Sequence, residues 1–205
     1  MAFLSVIIPV LNDGGYLREF LLKTPQEDDV EIIVVDNERS TEDILGICKE
    51  FGVIYLQTDG DISNQLNVGA QYASGEYLLF LAVDVRFTRP LSNLVAYIKK
   101  YPFIEVATGP LDQLYGTNDF ISDMRERIRS LTFIITGGYM LVKKDVFFKL
   151  GGFTPRALSL FTWEDFDFDV KARLRGYIVY YLPFPAVHLR PFNFRLPDGT
   201  LIARL

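Results

Sequence analysis

Four apolar runs, each followed by a segment of helical periodicity, fill the first half of the chain, and this alternation restricts the fold more than any other feature. FLSVIIPV (3–10), VEIIVVD (30–36), GVIYL (52–56) and EYLLFLAV (76–83) are short and rich in branched or aromatic residues, as expected of strands covered on both faces. Between them, YLREFLL (16–22), STEDILGICKEF (40–51) and SNQLNVGAQYAS (63–74) read as helices, and PLSNLVAYIKKY (90–101) follows the fourth strand. Ser40 with Asp43 three residues on resembles a capping box, and Pro90 suits a first helical turn. The pattern predicts an α/β fold with a mainly parallel central sheet flanked by helices.

The second half is less regular. FIEVATG (103–109) reads as a strand, 111–118 as a polar loop, and LTFIITGGYMLVKK (131–144) as a strand interrupted at Gly137 and Gly138, where a bulge or a close ligand approach is expected. KDVFFKLGGF contains a short helix ending at Gly151 and Gly152. TWEDFDFDVKARLRG (162–176) is a predicted helix with Phe166, Val170 and Leu174 on its apolar spacing, and YIVYYLP (177–183) a final strand. With no repeat or linker, 205 residues are expected to form one domain.

Charge and cysteine content exclude some functions. A net charge of -5 argues against a nucleic-acid binder. A small phosphorylated ligand would need local neutralisation by a metal ion or a few placed bases. Cys48 is the only cysteine, so no internal disulfide forms, and with no charged-then-apolar leader a cytoplasmic location is expected. No apolar run approaches the roughly 20 residues of a membrane helix. The basic cluster RERIR (125–129) leaves peripheral contact with the membrane's inner face open.

Acidic residues fall where strands end. The run EYLLFLAVDVRF (76–87) closes on Asp84 and then Arg86, VVDN closes on Asp36, and Glu164 with Asp165 opens a helix after an aromatic loop. In open parallel sheets, ligands collect outside the carboxyl ends of the strands. Asp36, Asp84 and the Glu164–Asp165 pair could therefore hold a nucleoside, a metal ion and an acceptor proton respectively. The plainer alternatives are a turn acid paired with Arg86 for Asp84, and a Thr162–Asp165 capping box for Asp165.

The ordered set SVIIPVLND, EIIVVDNERSTEDI, SNQLNVGAQYASGEYLLFLAVDV, TGGYMLVKKDVFFKLGGF, WEDFDFDVKARLRGY and AVHL resembles the inverting family 2 glycosyltransferases of GT-A fold. Within them it is most similar to the rhamnosyltransferase-like branch. The resemblance implies donor contacts from Pro9 to Asp13 and from Asp36, Asn67, Gly69, Asp84 and Gly138. It implies a divalent ion, manganese or magnesium, at Asp84 and His188. It also implies a catalytic Glu164–Asp165 pair with Asp165 as general base, and Trp163 as an apolar face for the acceptor sugar. Two positions depart from the family: Leu66 stands where an arginine is usual, and Ala82 replaces the first acid of the Asp-x-Asp motif.

The expectation is thus an enzyme of polysaccharide assembly. It would move a sugar from a nucleoside-diphosphate donor, bound over residues 1–100, to a glycan or lipid-linked hydroxyl acceptor, bound over 101–205. The alternative is a sugar-nucleotide or glycan-binding module of the same descent without turnover. A nucleotidyltransferase would need a Gly-rich basic loop after the first strand, and LNDGGYLRE offers two glycines but only Arg18.

Overall fold

In the computed structural model, residues 2–111, 135, 138–155 and 164–190 are described, with the backbone of 112–113, 193–195 and 201–204. The expectations for Gly137, Thr162, Trp163, Arg125, Arg127 and Arg129 lie outside the described residues.

The alternation in the first half folds as predicted. Strands β1 (Leu4–Val10), β2 (Val30–Asn37), β3 (Ile54–Thr58) and β4 (Tyr77–Leu81) alternate with helices α1 (Gly14–Lys23), α2 (Ile44–Phe51) and α3 (Ile62–Tyr72). After α4 (Leu91–Lys100) come β6 (Val106–Thr108), β8 (Tyr139–Lys143), α5 (Lys144–Lys149), α6 (Glu164–Leu174) and β9 (Val179–Tyr181). These strands form one sheet in the order β3-β2-β1-β4-β8-β6-β9. All its pairings are parallel except those of β8, which runs antiparallel to both β4 and β6.

Side-chain alternation along β1 divides the core into two layers. Leu4, Val6, Ile8 and Val10 pack with α1, α2 and α4, whereas Ile7 joins Leu66, Ala70, Phe147 and Phe168 on the opposite face. A smaller sheet, β5 (Val85–Phe87), β10 (Ala186–His188) and β7 (Leu111–Gln113), lies beyond the end of β4.

Several boundaries differ from the sequence reading. The apolar run 76–87 is two strands separated by a turn at Ala82–Asp84. Residues 111–113 form β7 rather than loop, and His188 ends strand β10 instead of lying past the last strand. Helix α2 begins at Ile44, capped by the Asp43 carboxylate, which accepts from the Gly46 N–H at 2.8 Å. Ser40 is not its cap, because its hydroxyl turns to the Asn12 amide group. On α6 the buried positions are Phe168, Asp169 and Ala172, while Leu174 is 81% exposed. The Phe168 ring sets that rotation by packing 5.5 Å from both Phe147 and Phe153.

Candidate active site

Strand order locates the site. From β1 the chain steps outward through β2 and β3, then crosses back to place β4 on the other side of β1. That reversal opens a crevice at the carboxyl ends of β1 and β4, the usual ligand position in such sheets. Pairing between β1 and β4 ends at Ile7–Phe80. Pro9 lies two residues further along β1, where those two strands have separated. Asp13 follows β1, Asp36 is the penultimate residue of β2 opposite Val10, and Asp84 follows β4.

The Asp84 turn is clamped by the far end of the chain. Its carbonyl accepts the Leu189 N–H at 2.9 Å, while β10 pairs with β5 immediately beyond it. One carboxylate oxygen, Oδ2, lies 3.5 Å from His188 Nε2 and 3.3 Å from Arg190 Nε. The Arg190 guanidinium also donates to Asp13 Oδ1 and stacks 4.3 Å from the Tyr16 ring. Burial lowers its pKa, but the hydrogen bond and charge of Asp13 and the charge of Asp84 raise it by more, so it stays a cation. The turn reading, in which Asp84 pairs with Arg86, does not describe this geometry. Arg86 instead donates to the carbonyls of Val83, Val85 and Tyr16 at 2.6, 3.0 and 2.7 Å, which braces the turn against α1.

Asp84 and His188 fit a divalent ion in donor chemistry. His188 Nδ1 is 2.7 Å from the Arg190 carbonyl oxygen, so in the tautomer that donates there Nε2 keeps the lone pair a metal ion needs. A carboxylate oxygen and an imidazole nitrogen suit manganese, or magnesium with phosphate oxygens filling the remaining positions. Among the described residues, no three His, Cys, Asp or Glu side chains converge as a closed metal cage.

A second polar centre surrounds Asp36, which is 3% exposed. Its Oδ2 accepts from the Tyr55 hydroxyl at 3.2 Å, and its buried Oδ1 has no hydrogen-bond partner among the described residues. Burial raises its pKa above the usual carboxylate range, outweighing the hydrogen bonds from Tyr55 and Ser40. Burial together with Asp36 pushes the Tyr55 hydroxyl up to about 12, so it remains a donor.

The loops around this centre are fixed. Asn12, at φ 56°, accepts from Thr41 N at 2.7 Å, and Gly14 N donates to Glu42 at 2.6 Å. Gln65 was not anticipated. It is 5% exposed and its amide nitrogen donates to the carbonyls of Val10 and Val35 at 3.0 and 2.8 Å, tying the ends of β1 and β2 together. The available signal was its spacing, four residues before Gly69 on the helical stripe that faces the sheet.

Asn67 and Gly69 serve packing. The Asn67 amide donates to the Phe153 carbonyl at 2.8 Å and accepts from the Phe153 N–H at 2.9 Å, so both ends of the side chain are engaged. A Cβ on Gly69 would lie 2.4 Å from Ile7 Cγ2, so the glycine permits α3 to approach β1. Gly138 stands behind the Asp84 turn, where its carbonyl accepts from Ala82 N at 3.3 Å and a Cβ would meet Leu111 at 2.8 Å.

The base candidates, Glu164 and Asp165, occupy the first turn of α6 with Asp167, where negative charge complements the helix dipole. That helix start is anchored through Asp167, which accepts from Thr154 at 2.6 Å, and through Lys171, which donates to the Gly152 carbonyl at 2.6 Å. Gly152, at φ 67°, leads directly into the Phe153 held by Asn67. A chain of contacts therefore joins the acidic helix start to α3.

Comparison with known proteins agrees with this architecture. The family model for glycosyl transferase family 2 matches residues 5–158. A PGL/p-HBAD biosynthesis glycosyltransferase of Mycobacterium bovis is 27% identical over 190 residues, covering 82% of this chain and 68% of the relative. An uncharacterized glycosyltransferase of Haemophilus influenzae is 26% identical, covering 82% and 61%. The structure of S. aureus TarS 1-349 in complex with UDP superposes with a TM-score of 0.70 at 20% identity, over 90% of this chain and 60% of that one. The mannosyltransferase PcManGT from Pyrobaculum calidifontis, in complex with GDP-Man and Mn2+, gives 0.69 at 18% identity, over 92% and 57%. The chain spans 36% of the longer TarS structure. Among the described residues no helix is long and apolar enough to cross a membrane.

Proposed function

The chain belongs to glycosyl transferase family 2, and from that premise we propose that it transfers a sugar from a nucleoside-diphosphate donor to a hydroxyl acceptor with inversion at the anomeric carbon. The observation carrying this reading is the convergence of Asp13, Asp84, His188 and Arg190 at the switch point, beside the buried carboxylate of Asp36. Asp36 Oδ1 accepts a hydrogen bond from the nucleoside, and the crevice between β1 and β4 receives the diphosphate. A divalent ion held by Asp84 and His188 would stabilise the charge of the departing diphosphate. The acceptor oxygen attacks the anomeric carbon from the face opposite the diphosphate. As the new C–O bond forms and the sugar–phosphate bond breaks, Asp165 takes the hydroxyl proton. Residues 101–205 supply the acceptor side, including Trp163. A glycan or lipid-linked acceptor met at the cytoplasmic face suits polysaccharide assembly, and Ala82 at the first acid position favours the rhamnosyltransferase-like branch.

The test is transfer and donor hydrolysis with a panel of nucleotide sugars in manganese or magnesium. Asp165→Asn is expected to lower kcat by at least about 100-fold with little change in donor affinity, the range for loss of a general base. Asp84→Ala is expected to lose both donor affinity and metal dependence. Full activity in both variants would overturn the mechanism. Tight donor binding without product from the wild type would favour the binding module instead.

A further inference from the structure

Arg190 has no place in the sequence expectations, yet it meets Asp84, Asp13, Tyr16 and His188. Its Nε faces Asp84 Oδ2 at 3.3 Å, the same oxygen that faces His188 Nε2 at 3.5 Å. Its Nη2 donates to Asp13, its guanidinium stacks on Tyr16, and its carbonyl fixes the His188 ring. Asp84 is only 6% exposed, so its charge needs a neighbouring cation, and the guanidinium supplies one. A divalent ion taken up by Asp84 and His188 would bring a second cation to that oxygen. Two cations on one carboxylate oxygen repel, so each weakens the other's hold on it.

We propose that Arg190 is an internal counter-cation that competes with the divalent ion for Asp84 and exchanges that carboxylate for the donor diphosphate. The inference rests on the metal-dependent reading of the site given above. Asp13 and Tyr16 keep the guanidinium at the crevice mouth while it changes partners. Its planar fork can give parallel N–H donors to a phosphate, for which arginine is better suited than lysine. The exchange couples the two ligands: without diphosphate, Arg190 weakens metal binding, and with diphosphate in place it strengthens the complex. Arg190 is thus a positioning residue for the free site and a direct ligand of the bound donor.

The experiment measures Mn2+ affinity by electron paramagnetic resonance in the nucleotide-free protein, and UDP and GDP affinity by calorimetry with saturating Mn2+. Wild type, Arg190→Met, Arg190→Lys, Asp13→Asn and Asp84→Ala are compared. Arg190→Met is expected to bind Mn2+ roughly five- to tenfold more tightly than wild type, toward the low end of ordinary coupling between sites, and to bind the preferred diphosphate more weakly. Arg190→Lys should recover most of the metal competition and less of the diphosphate binding. Asp13→Asn, which loosens the guanidinium without removing it, should shift metal affinity in the same direction as Arg190→Met. Mere damage to the fold would lower both affinities, so the gain in metal binding separates exchange from a structural role. Unchanged or weaker Mn2+ binding in both Arg190→Met and Asp13→Asn, with binding abolished in Asp84→Ala, would overturn the exchange and leave the metal reading standing. Equal Mn2+ affinity in wild type and Asp84→Ala would overturn both.

Discussion

Asp36 carries a thermodynamic penalty that its proposed role explains. Unfolded, its carboxyl titrates near the ordinary value of about 3.9; folded, burial raises that value. As pH rises through this interval the unfolded chain ionises first, so stability falls and the loss persists at neutral pH. Asp36→Asn is therefore expected to stabilise the protein at pH 7 and raise its Tm, while weakening nucleoside binding. The gain should vanish below the ordinary carboxylate value, which calorimetric scans from acid to neutral pH would check. Cys48 is the opposite case, with no call on function. It is 1% exposed on α2, and burial pushes its thiol up to about 12. It should resist a thiol reagent in the native protein and react promptly in denaturant, as absorbance titration would show.

Elements meet at Asn67, which joins α3 to the turn before α6. Asn67→Ala removes two hydrogen bonds and leaves the Phe153 N–H and carbonyl without those partners. A loss of about 2–3 kcal/mol in chemical denaturation is expected, with donor affinity changing less than about threefold because the side chain faces Phe153. Gly69→Ala should cost about 1–3 kcal/mol through its clash with Ile7. The resemblance marked both residues, but sequence alone did not separate packing from ligand contact, since that depends on a partner 86 residues away. The placement of Asp84 and Asp36 at one edge of the sheet was legible because local rules set it: Asp36 lies near the end of β2 and Asp84 in the turn that follows β4. Arg190 was not legible, because its pairing with Asp13 spans 177 residues and nothing around LRP announces it. The rotation of α6 was misread for a related reason. Phe166, Val170 and Leu174 share a helical spacing, yet the stack on Phe147 and Phe153 selects Phe168 and Ala172.

At the scale of the molecule, the first hundred residues and the described residues beyond them share one sheet. Residues 139–143 cover the free edge of β4 as β8, and residues 186–190 complete the Asp84 turn. A fragment of residues 1–101 should therefore show no cooperative thermal transition and no nucleotide binding, whereas adding the remainder in trans should restore both; near-ultraviolet circular dichroism would report each. The clamp at residues 188–190 also imposes an order on synthesis. Asp84 emerges long before His188 and Arg190, an interval of roughly 5–20 s at ordinary translation rates. Until β8 follows, about halfway through it, β4 carries five apolar residues, YLLFL, beside an uncovered edge, the kind of strand that recruits other chains. A nascent chain stalled in the first half of this window is expected to self-associate, so the edge of β4 is protected well before the clamp at residues 188–190 closes the Asp84 turn.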